Sequence, residues 1–431
     1  MAQMNFSTTS WGPTEAAPNQ FEDELNTAFA GIDAALNQDP VSVTTTSTAV
    51  SSTLANGGSF TISGIGYIGN VLTFGSISYS DPQGNYISMI GPMTADIATG
   101  DISGSLSSLS VKLSGIEVSA TGNLVFSPSG STYGTLSTLT EKVSGWSVTF
   151  GGSISYVDDV LGGTVTSFSA VSPQGDSFYI SGATIPAAQM DAADSLDDLL
   201  TQSYLQGDDV MTAGSKNDVF GGFAGNDTMN GAAGNDTMTG GSGNDTINGG
   251  TGIDTAVCSG NRSSYVVTKT ATGLTVADNT GADGSDTLSG VERLQFADGK
   301  LAFDLDGGAG NTAEIIGAIF GKQYLQTKEY IGIGISLFDS GQTMEQVAQL
   351  ALNAGLFQQL AGSSSNTDFV KFVYHNVAGV DPGASDLEYY MQLLDTGVFT
   401  QASLAVAAAV TSLNTSNIGL TGLAQTGIEF V

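Results

Sequence analysis

The spacing of apolar residues changes along the chain and marks out its parts. Phe21, Leu25, Ala28, Phe29, Ile32 and Leu36 lie on a 3.6-residue stripe between Pro18 and Pro40, which predicts a helical segment over 1–40. Residues 41–186 alternate in period two, are rich in Ser, Thr, Val and Gly, and are broken by turn dipeptides such as Asn56-Gly57 and Asp81-Pro82. That is the pattern of an all-β domain. Within it, Lys112-Leu-Ser-Gly-Ile-Glu-Val-Ser can be laid on Lys142-Val-Ser-Gly-Trp-Ser-Val-Thr, and Val71–Tyr79 on Val148–Tyr156. Such echoes predict related strands stacked side by side, as a β-solenoid or as an elongated sandwich. Met190, Leu196, Leu199 and Leu200 predict a short connecting helix over 187–204. From about 311 to 414 the period is helical again, with breaks at Gly341, Gly362, Pro382 and Gly397, which predicts an all-α domain of about five helices within 311–431. The fold class expected is therefore multidomain, β plus α.

Charge narrows the partners. The 431 residues carry 10 basic and 42 acidic side chains, a formal charge of −32. That balance argues against nucleic acid and anionic membrane as partners, because binding phosphates needs clustered Lys and Arg. With 40% hydrophobic residues, the chain is not a disordered acidic tail. One cysteine, Cys258, and one histidine, His375, exclude a disulfide framework and a zinc site built on Cys or His. The longest apolar run, Leu404 to Val410, is far short of the ~18 residues a membrane span needs, so no transmembrane helix is expected. So many carboxylates need a counter-ion.

A nine-residue repeat shows which one. Asp209, Asp218, Asp227, Asp236, Asp245 and Asp254 recur without a slip, and two residues after each stands Met211, Phe220, Met229, Met238, Ile247 or Ala256. Glycine fills most of the space between. A coil of two nonapeptides brings residues 18 apart into register, about 4.8 Å away. Asp209, Asp227 and Asp245 then stack on one edge, and Asp218, Asp236 and Asp254 on the other. Like charges at that distance repel by ~1 kcal/mol per pair even in water. One inward apolar side chain per nonapeptide is too little to offset this and the ordering of so many glycines. A hard dication between the aspartates removes the conflict, and Ca2+ takes 6–8 oxygen ligands, backbone carbonyls among them.

The pattern, G-G-x-G-x-D-x-U-x, resembles the repeats-in-toxin (RTX) family. The resemblance implies a Ca2+-binding parallel β-roll over 205–257 holding about four ions. In that family each ion takes two aspartates and carbonyls from two turns. The first ion would lie between Asp209 and Asp227, with the carbonyls of Leu205, Gly207, Gly222 and Ala224. The second would lie between Asp218 and Asp236, with Gly214, Lys216, Gly231 and Ala233. Asp227 and Asp245, with Phe223, Gly225, Gly240 and Ser242, would frame the third. Asp236 and Asp254, with Ala232, Gly234, Gly249 and Thr251, would frame the fourth. Leu205, Lys216 and Ile253 depart from the family pattern.

Residues 258–310 are similar to the β cap that trails such repeats. The tail resembles a helical domain of unknown function found after RTX repeats in bacterial exported proteins. Its half-motifs are Leu337-Phe-Asp-Ser-Gly341 and Leu393-Leu-Asp-Thr-Gly397, while its usual Gly-Arg-x-Pro-Asp element is altered to Gly379-Val-Asp-Pro-Gly383. The last residues, Gly427-Ile-Glu-Phe-Val431, are similar to the uncleaved C-terminal signal of type I secretion substrates. Residues 1 to 111 contain no Lys or Arg, so export without an N-terminal signal peptide to an extracellular or cell-surface location is expected.

No catalytic constellation emerges. Gly64-Ile-Gly-Tyr-Ile-Gly69 matches a dinucleotide fingerprint, but a strand-like stretch follows it instead of a helix. There is no G-x-S-x-G elbow, and one histidine cannot supply H-E-x-x-H. His375 reads as a packed or surface residue, and Cys258 as core in preference to a reactive thiol. A polysaccharide lyase would want a basic catalyst, and 41–186 offer only Lys112 and Lys142; Asp158 and Asp159 are adjacent and point to opposite faces of a strand. The expected protein is not an enzyme. It is a Ca2+-stabilised structural protein of the bacterial cell surface, a homo-oligomer or polymer of a surface layer, filament or biofilm matrix. One alternative is a Ca2+-dependent adhesin or glycan-binding protein that meets cell-surface polysaccharide through Tyr67, Tyr79, Trp146 and Tyr156. The other is a Ca2+-dependent polysaccharide-degrading enzyme.

Overall fold

The computed structural model describes residues 42–54, 57–68, 71–96, 102–113, 116–126, 132–157, 160–187 and 205–431. The helices expected over 1–40 and 187–204 lie outside them, Ala187 apart. The chain divides into two compact units, Met1–Ala232 and Ala233–Val431.

In the first unit the period-two segments become strands β1 (Ser42–Thr45), β2 (Ala49–Thr53), β3 (Ser59–Ser63), β4 (Gly66–Ile68), β5 (Val71–Ser80), β6 (Tyr86–Asp96), β7 (Ile102–Leu113), β8 (Ile116–Phe126), β9 (Thr132–Val143), β10 (Trp146–Val157), β11 (Val160–Val171) and β12 (Ser177–Pro186). From β5 to β12 each strand pairs antiparallel with the next. The domain is thus a meander. Its internal echo is two hairpins, β7–β8 and β9–β10, joined by the β8–β9 ladder, at one end of which Lys142 Nζ lies 2.7 Å from Glu117 Oε1. A parallel solenoid would have set the echoed segments in the same direction on adjacent coils, and the antiparallel pairing replaces that arrangement.

One face of the sheet is apolar along a single cross-strand row. Ile77, Met89, Leu109, Ala120, Leu139, Phe150, Phe168 and Ile180 sit opposite one another in succession, and all are buried. The other face carries hydroxyl pairs across strands, such as Ser63–Ser76 at 2.6 Å and Thr140–Thr149 at 2.9 Å. Every pairing from β5 to β12 contains a register shift near mid-strand, between Thr121 and Gly122 for example. There the strands run so close that a Cβ on Gly122 would lie 2.6 Å from Leu136 Cα. A line of bulges across a sheet bends it.

The apolar row does not stop at the meander. β13 (Val210–Thr212) pairs antiparallel with β12, so that Met211 faces Ile180. After β14 (Val219–Ala224), β15 (Thr228–Asn230) pairs parallel with β13, so that Met229 faces Met211. The edge of the repeat is thereby closed by the meander's last strand, which removes an exposed template for strand pairing.

The second unit opens with β16 (Thr237–Ser242), β17 (Thr246–Asn248) and β18 (Thr255–Val257), and β18 runs parallel to β16. A hairpin of β19 (Tyr265–Lys269) and β20 (Leu274–Asp278) follows, then β21 (Ser285–Ser289), β22 (Arg293–Phe296) and β23 (Gly299–Ala302). Here β21 is parallel to β17 and β22 is parallel to β18, so the expected cap contains two further rungs of parallel sheet. The last strand, β24 (Ile428–Phe430), pairs antiparallel with β23, which seats the signal-like C-terminal residues in a sheet.

The helical domain is present, with nine α-helices among the described residues where about five were expected. They are α1 (Gly308–Ile319), α2 (Lys328–Asp339), α3 (Met344–Asn353), α4 (Leu356–Ala361), α5 (Asn366–Ala378), α6 (Ala384–Asp395), α7 (Gln401–Ala409), α8 (Ser412–Asn417) and α9 (Leu420–Thr426). The four expected breaks all fall between helices. Three of the extra helices, α4, α8 and α9, are short and set apart by interruptions such as Gly355 at φ 79° and Gly419 at φ 69°, and the fourth arises because the stretch before Gly341 holds both α1 and α2. Nine of the twelve residues of α1 are buried, and the core around it extends to Ile428 and Phe430 of β24. No described helix is long and apolar enough to cross a membrane.

Candidate metal centre

The six repeat aspartates are all buried, none more than 5% exposed. Among the described residues no three Asp, Glu, His or Cys side chains gather as a metal-binding group. An ion at these aspartates would need further oxygen ligands, which backbone carbonyls or water can supply.

The turns are built to present them. Position two of the nonapeptide lies at positive φ in four successive turns: Phe223 at 69°, Ala232 at 68°, Gly241 at 108° and Gly250 at 102°. Position four does the same at Gly225, Gly234, Gly243 and Gly252. Two left-handed residues within one short turn swing successive carbonyls to one side. Gly207, Gly214, Leu205 and Lys216 are not in that region, so the first two turns have a different backbone. This is where the sequence departs from the family pattern. Gly240 and Gly249, at position one, lie beneath the carboxylates of Asp245 and Asp254; a Cβ on Gly249 would come 2.6 Å from Asp254 Oδ2. The space a side chain would fill is left to the acid.

Within each unit the expected pairs meet. The N–H of Asp209 donates to Asp227 Oδ1 at 2.8 Å, and the N–H of Asp236 donates to Asp254 Oδ1 at 2.8 Å. One residue earlier, Asp208 Oδ1 accepts from Asn226 N–H at 2.7 Å and Asn235 Oδ1 from Ile253 N–H at 3.0 Å. Gly231, Ala233, Gly222, Ala224, Ser242 and Thr251 occupy the same turns, and Gly234 N–H donates to the Thr251 carbonyl at 3.0 Å. The pairings of Asp218 with Asp236 and of Asp227 with Asp245 run from one unit to the other and stand on the repeat alone.

Both carboxylate oxygens of Asp209 and Oδ2 of Asp254 are buried without a hydrogen-bond partner. A buried carboxylate left so is costly unless a cation takes it up. Burial, with the Asp208 charge adding, pushes Asp209 up to about 6. Burial pushes Asp254 up to about 6, against the Asp236 N–H and together with the Glu292 charge. Asp218 is raised by burial and by Asp176, and lowered by the Gly214 N–H. A hard, oxygen-only donor set with orphaned carboxylate oxygens fits Ca2+.

These shifts set a pH dependence. In the metal-free protein the folded carboxyls titrate near 6 and the unfolded ones near 4. Their contribution to stability is complete below pH ~4 and is lost as pH rises through 6. Metal-free roll amides are therefore expected to exchange more slowly at pH 5 than at pH 8, after correction for intrinsic exchange, while Ca2+ affinity changes in the opposite sense. A metal-free roll that gains protection with rising pH would contradict the assignment.

Three acidic residues that the nonapeptide spacing missed also reach the array. Asp176, in the β11–β12 turn, accepts from Ser215 N–H at 2.5 Å and its charge acts on Asp218. Asp286 accepts from Asp245 N–H, and Glu292 from Asp254 N–H, each at 3.0 Å. The signal for Asp286 was in the sequence, because Gly281-Ala-Asp-Gly-Ser-Asp-Thr-Leu-Ser289 is itself a nonapeptide of the pattern. Asp176 has no such signal. Of the other candidates, Cys258 is buried and its thiol is pushed up to about 12, chiefly by burial and then by Asp286 and Asp283, so it is core and not a nucleophile. His375 is at the surface, its Nδ1 2.8 Å from Asp381 Oδ1.

The comparisons agree with this geometry. Residues 205–238 and 221–256 match the RTX calcium-binding nonapeptide repeat, and 348–415 match a Domain of unknown function (DUF4214). Among curated proteins nothing matches this chain. Among solved structures, the extracellular lipase LipA from Serratia marcescens is similar at 22% identity and a TM-score of 0.15, over 20% of this chain and 12% of the lipase. At that score the likeness carries no argument about this chain. The chain thus carries RTX calcium-binding nonapeptide repeats over 205–256 and, behind them, a DUF4214 domain over 348–415.

Proposed function

We propose that the protein is a secreted, Ca2+-stabilised structural protein of the bacterial cell surface, a self-assembling subunit of a surface layer, filament or biofilm matrix. The observation that carries the reading is the continuity of the sheet. A long meander with hydroxyl pairs on its open face shares its apolar row with the first rungs of the calcium repeat, through Ile180, Met211 and Met229. Such a face supports packing against a neighbour, its hydroxyls pairing with one another across the strands. About four ions belong to the contiguous repeats in this reading. Low cytosolic Ca2+ leaves the array unfolded for passage through a type I exporter, and millimolar Ca2+ outside folds it.

The Ca2+-dependent adhesin is the second reading, favoured by Tyr67 and Ile68, adjacent and 69% and 74% exposed. Tyr79 and Trp146 are half-buried, and the Tyr156 side chain is outside the described ones, so a broad aromatic platform does not support it. Light scattering and electron microscopy of the full chain separate the two. Particles far larger than the 43.7 kDa monomer are expected in millimolar Ca2+, dispersing in EGTA. A monomer under both conditions would remove the assembly reading, and binding on a glycan array by that monomer would favour the adhesin.

A further inference from the structure

The expected cap, past the last contiguous repeat at Asp254, keeps the array's geometry. Asp286 stands 41 residues after Asp245, where the repeat would have placed its partner 18 residues on. The intervening β19–β20 hairpin accounts for the difference, and its two ends are tied together. Ser259 N–H and Oγ both donate to Asp283, at 2.8 and 2.6 Å. Beyond the hairpin the nonapeptide Gly281–Ser289 lies on the Asp245 turn as Asp254's turn lies on Asp236's. Thr287 faces Thr246 and Leu288 faces Ile247. Ser285 N–H donates to Asn244 Oδ1 at 2.9 Å, as Ile253 N–H does to Asn235 Oδ1 at 3.0 Å. A side chain on Gly284 would collide with the Gly243 carbonyl, as one on Gly252 would with that of Gly234.

The other edge ends differently. Ser289 faces Asn248 and Arg293 faces Thr255, so Gly290 and Val291 stand where the Asp254 turn uses five residues, Gly249 to Ile253. Glutamate then replaces aspartate, and the longer Glu292 reaches the Asp254 N–H across the shortened turn. Asp254 is 0% exposed, and its Oδ2 has no hydrogen-bond partner. That oxygen and the Gly290 carbonyl both border the space a Cβ on Gly249 would take. The neighbouring cation, Arg293, is committed to Asp304 and Asp339. An oxygen-lined gap with a buried, unpartnered carboxylate oxygen and a second acid beside it lacks only a metal ion.

We propose that the cap supplies the last two rungs of the calcium array and binds two ions beyond those of the contiguous repeats. One lies between Asp245 and Asp286, and the other between Asp254 and Glu292 with the Gly290 carbonyl. The inserted hairpin displaces the final repeat without ending the array. This rests on the reading that the repeats bind Ca2+, and the test separates the two.

Bound Ca2+ is counted on the full chain by equilibrium dialysis with metal analysis, for the natural sequence, Asp286→Asn, Glu292→Gln and the double variant. Both amides keep an oxygen to accept the backbone N–H, so the rungs are retained. Each single variant is expected to hold one ion fewer and the double variant two fewer. An unchanged count in either single variant overturns the assignment at that edge. Hydrogen exchange of the natural sequence gives an independent readout: peptides covering 281–296 are expected to gain protection on adding Ca2+, together with those covering 236–257. Protection of 236–257 without 281–296 overturns the proposal and leaves the repeat reading intact. No uptake of Ca2+ by the natural sequence overturns the repeat reading itself.

Discussion

Removing Ca2+ at neutral pH is expected to raise amide exchange in 219–257 by roughly 10²- to 10⁵-fold while the strands of the meander stay protected. The estimate follows from mass action. Extracellular calcium modules bind at about 10⁻⁴–10⁻³ M, so at ~2 mM Ca2+ each site contributes roughly 0.7–1.8 kcal/mol, and four contribute roughly 3–7. Without the ion, each stacked pair of aspartates adds a repulsion of ~1 kcal/mol or more, and the orphaned oxygens of Asp209 and Asp254 are left with no donor. The rungs have little else to hold them. Met238, Ala256 and Leu294 form one inward column, with one side chain per rung. The meander differs, because its apolar row is built of Phe, Leu, Ile, Met and one Ala on strands of ten to twelve residues. Exchange that is equal with and without Ca2+ across 219–257 would defeat the assignment. β24 should respond too, since it reaches β18 through β23 and β22, so chelation is expected to expose Ile428 and Phe430 of the signal-like terminus.

Local chemistry and the stacking of the repeats were readable in the sequence, and strand neighbours outside the repeats were not. Aspartate every nine residues, with an apolar residue two further on, was enough to find the buried acids and the pairs Asp209–Asp227 and Asp236–Asp254. The helix breaks at Gly341, Gly362, Pro382 and Gly397 were equally plain, because glycine and proline act on the residue where they stand. The echo between Lys112 and Lys142 was real, yet it left the solenoid open, because alternation gives the faces of a strand and not its direction or neighbour. Asp286 was hidden by a different cause. Its nonapeptide is intact, but the hairpin at Tyr265–Asp278 breaks the count, and a spacing argument stops at the first insertion. Glu292 and Asp176 reach the array only through tertiary contact and left no periodic trace.

Arg293→Ala is expected to destabilise the second unit more than any surface substitution, by about 3–5 kcal/mol. At the size of this unit that amounts to roughly 6–20 °C in Tm. Arg293 is buried on β22, directly after Glu292, and its guanidinium forks onto both oxygens of Asp304, with Nη2 3.0 Å from Oδ2. It also reaches Asp339 Oδ1 at 3.5 Å, the acid of the Leu337–Gly341 motif at the C-terminal end of α2. An acid there opposes the helix dipole. Burial raises the Asp339 carboxyl and Arg293 lowers it. One side chain thus joins the last rung of sheet to two helices. Truncating it leaves Asp304 buried without a counter-charge, and most of the cost comes from that stranded acid. The double variant Arg293→Met with Asp304→Leu should therefore recover much of the loss, since an apolar pair of similar volume often replaces a buried ion pair without penalty. Recovery should stop short by about 1 kcal/mol, because Asp304 Oδ2 also accepts from the Ala309 N–H at 3.2 Å in the first turn of α1. Thermal unfolding of the two single variants and the double variant in saturating Ca2+ checks this. If the losses simply add, the two residues are not coupled, and Arg293 does not join the calcium sheet to the helical domain through Asp304.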